Sequence, residues 1–142
     1  MVMSESDKKP ENKFEINIRN DKAIIIFYDD IQEGTDEGGN PKYTYNIYEL
    51  EINNRENLEE QIQNNYTEYL EMAKEYSKKQ KAADERTWRN SELEKTDKYL
   101  IEDYPSEYSK ESILEYRQAL RDYPAQNGFP YEAERPKIEN FV

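Results

Sequence analysis

Carboxylates are the reactive groups this chain has in quantity. It carries 32 Asp and Glu residues against 20 Lys and Arg, with no histidine and no cysteine, for a net charge of -12. Acid–base catalysis needs two carboxylates held in different environments. Among so many acids coincidental pairs are certain, so the carboxylates read as a solvated surface. The missing histidine and cysteine remove the common general base, the thiol nucleophile, the zinc–thiolate site and the disulfide framework. The Ser-Lys grouping "SKES" at residues 109–112 has no nucleophile elbow or oxyanion motif beside it. The oxygen-rich stretch "DDIQEGTDEGGNP", residues 29–41, invites a calcium reading but fits no D-x-[DN]-x-[DN]-G register with a closing glutamate. Its glycines also lack the strand-to-helix spacing of a phosphate loop. No catalytic residue, cofactor or metal ligand is assigned. The expected class is a non-enzymatic binding protein.

Composition narrows the partners. Of the 142 residues, 35% are hydrophobic and 37% charged, and mean hydropathy is -1.27, which predicts a small packed unit with solvated extensions. Net negative charge opposes nucleic acid phosphates and anionic membranes. The start "MVMSESDKKPENK" lacks the apolar region of a signal peptide, and no apolar run approaches the ~20 residues of a membrane span. The expectation is an intracellular protein, or one carried in a particle after intracellular assembly, with neither nucleic acid nor membrane as partner.

The elements that must position any site follow from periodicity. Residues 1–12 are expected to form a disordered leader. "FEINI" alternates Phe14, Ile16 and Ile18 with polar residues, and "AIIIFY" at residues 23–28 is a continuous β-branched and aromatic run. With "KYTYNIYELEI" they make a three-stranded antiparallel meander over residues 13–53, the acidic stretch 29–41 being a loop. One long helix is expected over residues 54–95. Its stripe is Ile62, Tyr66, Tyr69, Ala73, Tyr76, Gln80, Ala83 and Thr87, apolar at first and fading later. The distal half is a candidate for homo-oligomerisation or for a partner helix, with a solvated connector as the alternative. The fold class is therefore α+β, closed by a C-terminal helical hairpin with a proline-rich tail over residues 96–142.

That last segment is the most specific. Pro105 forces a helix to end, Ser109 is a candidate N-cap with Glu111 in the first turn, and Ile113, Tyr116, Arg117 and Leu120 share one face of a short helix ending near Asp122. Pro124, Asn127, Gly128, Pro130 and Pro136 punctuate the tail. The combination "YRQALRD" then "P…GFP", with Arg86, Arg89, Asn90, Leu93, Thr96 and Asp97 upstream, resembles the C-terminal module of phage tail assembly chaperone and tail-fibre assembly proteins. The resemblance covers residues 86–130. It departs at Glu94, where an apolar residue is usual, and at Lys98–Tyr99, where tryptophan is usual; the late tail also lacks a tryptophan before its proline.

The resemblance implies a phage or prophage tail, or tail-fibre, assembly chaperone that acts by protein binding in the host bacterial cytoplasm. Its partner would be a tail, tail-fibre or baseplate protein. A tail or baseplate subunit retained in the virion is an alternative, and an acidic DNA mimic that inhibits a nuclease is a third reading. The candidate partner-binding residues are Tyr99, Tyr104, Tyr108, Tyr116, Arg117, Leu120, Arg121 and Phe129. Tyrosine, present 13 times, suits both cores and interfaces. Arg117 and Arg121 are expected to pair with acids around Asp97, Glu102 and Asp103, and Phe129 to return near Leu120. A self-contained helical cap without a binding role remains open at this point.

Overall fold

Alternation in the run around Ile25 decides the first layer. Ala23, Ile25 and Phe27 are fully buried, while Ile24, Ile26 and Tyr28 turn to the opposite, half-exposed face. In the computed structural model, which describes all residues from Met1 to Val142, this run belongs to a four-stranded antiparallel sheet. Its strands are β1 (Val2–Ser6), β2 (Phe14–Arg19), β3 (Lys22–Thr35) and β4 (Pro41–Asn53), in the order β1-β4-β3-β2. Helices α1 (Leu58–Asn64) and α2 (Tyr66–Thr96) follow, then α3 (Lys110–Asp122). The chain divides into two compact units, Met1–Lys79 and Gln80–Val142.

The first unit packs one sheet face against α1 and the start of α2. Its core is built from Ala23, Ile25 and Phe27 of β3, Tyr48 and Leu50 of β4, and Leu58, Ile62, Tyr69, Leu70 and Ala73 of the helices. Phe14, Phe27 and Tyr66 form a triangle of tilted rings, with centroids 5.8–6.3 Å apart. The register Phe14↔Phe27 and Ile25↔Leu50 puts these side chains on one face, as a period of two requires.

The fold is α+β, with three differences from the sequence reading. Val2–Ser6, expected within a disordered leader, is a strand paired with residues 43–47 of β4. Val2 and Met3 are exposed, so backbone pairing and the Glu5–Lys42 ion pair at 3.1 Å hold it, and no apolar period marks it. The expected loop over residues 29–41 is mostly ladder. β3 continues through an irregularity at Asp29–Gln32 to Thr35 and pairs there with Pro41, leaving a turn closed by Asp36. An Asp36 carboxylate oxygen accepts the Asn40 N–H at 2.9 Å, and that backbone bond chiefly lowers the Asp36 pKa. The expected single long helix is interrupted at Asn65, whose φ of -128° leaves the helical region and whose side-chain amide donates to the Gln61 carbonyl, a local competition typical of asparagine.

One polar contact completes the sheet. β1 stops opposite residue 47, which leaves the next outward-facing backbone pair of β4 without a strand. The Ser77 hydroxyl of α2 takes that place, accepting from the Glu49 N–H at 3.1 Å and donating to the Glu49 carbonyl at 3.3 Å. Ser77 is itself buried, so an alanine there leaves two backbone groups without partners. Ser77→Ala is expected to destabilise the first unit by about 1–3 kcal/mol, measurable as a lower urea midpoint for the loss of sheet circular dichroism.

Candidate protein-binding module

The second unit begins where the apolar stripe of α2 fades. Gln80, Ala83 and Thr87 are exposed, and a different face of the helix is covered: Glu85 and Thr96 are buried, Trp88, Glu92 and Leu93 half-buried. Sequence reasoning missed this seam because two of its members are glutamates, which by type alone belong to the solvent face. A spacing of three and four from Glu85 through Trp88 and Glu92 to Thr96 was the available signal.

α3 supplies the opposing face. Ser109 caps it, its hydroxyl accepting the Ser112 N–H at 3.1 Å, with Glu111 in the first turn. Ile113, Tyr116, Leu120 and Tyr123 are all buried, a three–four–three stripe that packs onto the end of α2 to make the helical hairpin. Arg117, between them, closes the C-terminus of α2. Its Nη1 donates to the Leu93 carbonyl at 2.6 Å and to the Thr96 hydroxyl at 2.7 Å, and its Nη2 pairs with Asp97 at 2.8 Å. A cation there satisfies a terminal carbonyl and complements the helix dipole. Tyr116 donates to Glu92 at 3.1 Å; burial, then this bond, pushes its phenol pKa well up.

The tail closes the hairpin. A 3-10 turn, Tyr123–Ala125, contains Pro124, and Gly128 follows at φ +82°. A side chain there would meet Glu132 Cβ at 2.7 Å, so only glycine fits. The Phe129–Pro130 peptide is cis, and the Phe129 ring stands edge-on to Tyr123 at 5.1 Å under Arg86 at 5.2 Å. Arg135 then reaches Glu85 through two bonds of 2.7 and 2.9 Å and lies over Trp88 at 4.5 Å. Lys81 and the Tyr123 hydroxyl complete the set at 2.8 and 2.9 Å. Four donor contacts fall on two carboxylate oxygens, about the full acceptor capacity of the group. Phe141, in a last 3-10 turn (Ile138–Phe141), packs against Tyr116.

The candidate residues therefore separate. Tyr116, Arg117 and Leu120, expected at a binding surface, are buried and build the module, because the helix face that looked interactive from its apolar spacing is the face turned to α2. Arg121 and Tyr104 are exposed, and Tyr99, Tyr108 and Phe129 half-buried. Arg117 takes the expected partner Asp97, and Phe129 returns onto Tyr123, one turn beyond the expected Leu120. No group of three acidic side chains comes together in a geometry that could hold a metal ion, and no helix is long and apolar enough to cross a membrane. The strongly shifted carboxylate, Glu85, has its acceptor positions occupied by structural partners, so the arrangement is built to hold shape.

A capped helical hairpin, stapled by a returning tail, is the class of module that this geometry defines. Residues 82–138 match the family model described as phage tail assembly chaperone protein. The match reaches past residues 86–130 on both sides, far enough to include the buried Glu85 and the half-exposed Arg135 that pairs with it. Neither the curated proteins nor the solved structures contain a match to this chain.

Two measurements probe the module. Arg135, above all, with Lys81 and Tyr123 lowers the Glu85 pKa from the ordinary 4.5 to about 2 against the opposing effect of burial. The folded state thus holds fewer protons on Glu85 than the unfolded chain between those values. Its contribution is complete above pH ~4.5 and is lost as pH falls towards about 2. Glu85→Gln should flatten the pH dependence of stability in that window, followed by near-ultraviolet circular dichroism during acid titration. Arg117→Ala removes the donor that the Leu93 carbonyl and Thr96 hydroxyl share, leaves Asp97 without its cation and opens a void, while the Thr96 hydroxyl still donates to the Leu93 carbonyl at 3.0 Å; a loss of about 2–4 kcal/mol is expected. Faster amide exchange across α3, with β3 unchanged, is the readout.

Proposed function

We propose that the protein is a phage or prophage tail assembly chaperone that acts by binding, without catalysis. It would shield exposed apolar surface of a tail, tail-fibre or baseplate protein in the host bacterial cytoplasm until assembly. The observation that carries this reading is the coincidence of two boundaries. The residues matched by the tail assembly chaperone model, 82–138, are those that the hairpin and its returning tail knit together from Glu85 to Arg135.

The chemistry supports binding in a division of labour. Buried Tyr116, Arg117 and Leu120 hold the scaffold, while exposed Tyr104 and Arg121 and half-buried Tyr99, Tyr108 and Phe129 are the candidates for the partner. A net charge of -12 would keep a complex with an apolar client dispersed. Self-association through the long helix, the other partner expected from sequence, would rest on exposed Gln80, Ala83 and Thr87, a row with little apolar area.

Co-expression with tail, fibre and baseplate proteins tests the proposal. At least one of them should shift to the soluble fraction and co-purify with the chain; failure of all of them to do so overturns it. Mass spectrometry of finished particles separates a chaperone, which should be absent, from a virion subunit, which should be present at fixed stoichiometry.

A further inference from the structure

A concave surface lies outside the core of the hairpin. After the 3-10 turn Asp97–Leu100, the Tyr104 N–H bonds back to the Ile101 carbonyl at 3.2 Å, with Asp103 in the left-handed region at φ 64°. This turn returns the chain so that the Tyr104 ring stands edge-on to Tyr99 at 5.7 Å. Together with Tyr108 and Ile113 the two rings line a cleft of about 330 Å³. That is near the low end of small-molecule pockets, which span roughly 300–1,000 Å³, and it suits an inserted side chain better than a whole ligand.

Its surroundings are apolar and acidic together. Ile101 is 63% exposed, Tyr104 42% and Leu100 37%, a concentration of exposed apolar surface in a chain of mean hydropathy -1.27. Glu102 and Asp103 line the cleft together with Lys110, and the charge of Glu107 first, with that of Glu139, acts on the Tyr108 phenol and raises its pKa. The tyrosine faces already hold a cation: the Lys98 ammonium lies 5.1 Å from the Tyr99 centroid and 5.9 Å from that of Tyr104.

We propose that this cleft seats a basic, amphipathic segment of the partner protein. One aliphatic side chain enters between Tyr99, Tyr104 and Tyr108, and flanking Lys or Arg residues lie over Glu102, Asp103 and Glu107. Charge complementarity selects this occupant over the others. A second copy of the chain would set acid against acid at -12 each, and a nucleic acid would do the same with phosphate. The proposal rests on the chaperone reading for the identity of the partner, though not for the chemistry of the cleft.

Fluorescence anisotropy with the full chain tests it, using labelled amphipathic peptides of Leu and Lys. The controls replace every Lys by Glu, or every Leu by Gln, and a neutral proline-rich peptide is included. The Leu–Lys peptide should bind, weaken as salt rises, and exceed each control by at least about tenfold. The doubly substituted Ile101→Ser, Tyr104→Ser chain, and separately Glu102→Lys with Glu107→Lys, should each lose at least about tenfold in affinity. These positions are exposed, so both variants should keep the wild-type thermal melt. Equal binding of the Glu peptide, preference for the proline-rich one, or unchanged affinity in the folded variants overturns the proposal. Co-expression separates the two readings. A tail protein kept soluble by the Ile101→Ser, Tyr104→Ser chain as well as by wild type removes the cleft proposal and leaves the chaperone reading. Peptide binding at the cleft, with no tail protein kept soluble by wild type, does the reverse.

Discussion

A buried carboxylate is an expensive thing to fold around, and the C-terminal unit is organised by that requirement. Glu85 is 2% exposed, and an ion in such a place must find partners or lose its charge. Arg135, Lys81 and Tyr123 provide them, and each ties down a different piece of chain: the tail, the preceding turn of α2 and the end of α3. Removing any one leaves the charge less compensated, so the contacts stand or fall together. This accounts for an acidic, weakly apolar sequence holding a tail of proline, glycine and aromatic residues in one conformation.

How much of this was legible depended on whether burial or pairing fixed each element. Ile25, Phe27 and Leu50 declared themselves by alternation, and Ser109 with Ile113, Tyr116 and Leu120 declared a capped, one-sided helix. Val2–Ser6 did not, because a strand held on one side by backbone bonds leaves no apolar rhythm. The ladder from Asp29 to Thr35 was hidden in the same way. Glu85 and Arg135 lie fifty residues apart, and nothing in either type distinguishes a buried partner from a solvated one. The burial of Tyr116, Arg117 and Leu120, offered from sequence as partner-binding residues, has the same root: spacing identifies an apolar face but not what covers it.

The two units solve the same shortage of apolar residues differently. In the first, aromatic rings and β-branched side chains fill one sheet face, and a serine hydroxyl repairs the place where β1 runs out. In the second, tyrosine hydroxyls and arginine forks make the buried contacts, with Leu120 and Ile113 as the aliphatic centre. A polar interior of this kind is directional, since each bond has a required geometry. It fixes the orientation of α3 and thereby which side chains are left at the surface.

The position of the chain's one tryptophan has a practical side. Trp88 lies beneath the Arg135 guanidinium and edge-on to Tyr123 at 5.8 Å, while every other aromatic ring in the protein is Phe or Tyr. Excited selectively at the red edge, its emission reports on the place where the tail closes over the hairpin. The molecule thus carries an intrinsic optical probe at the joint between its hairpin and its returning tail.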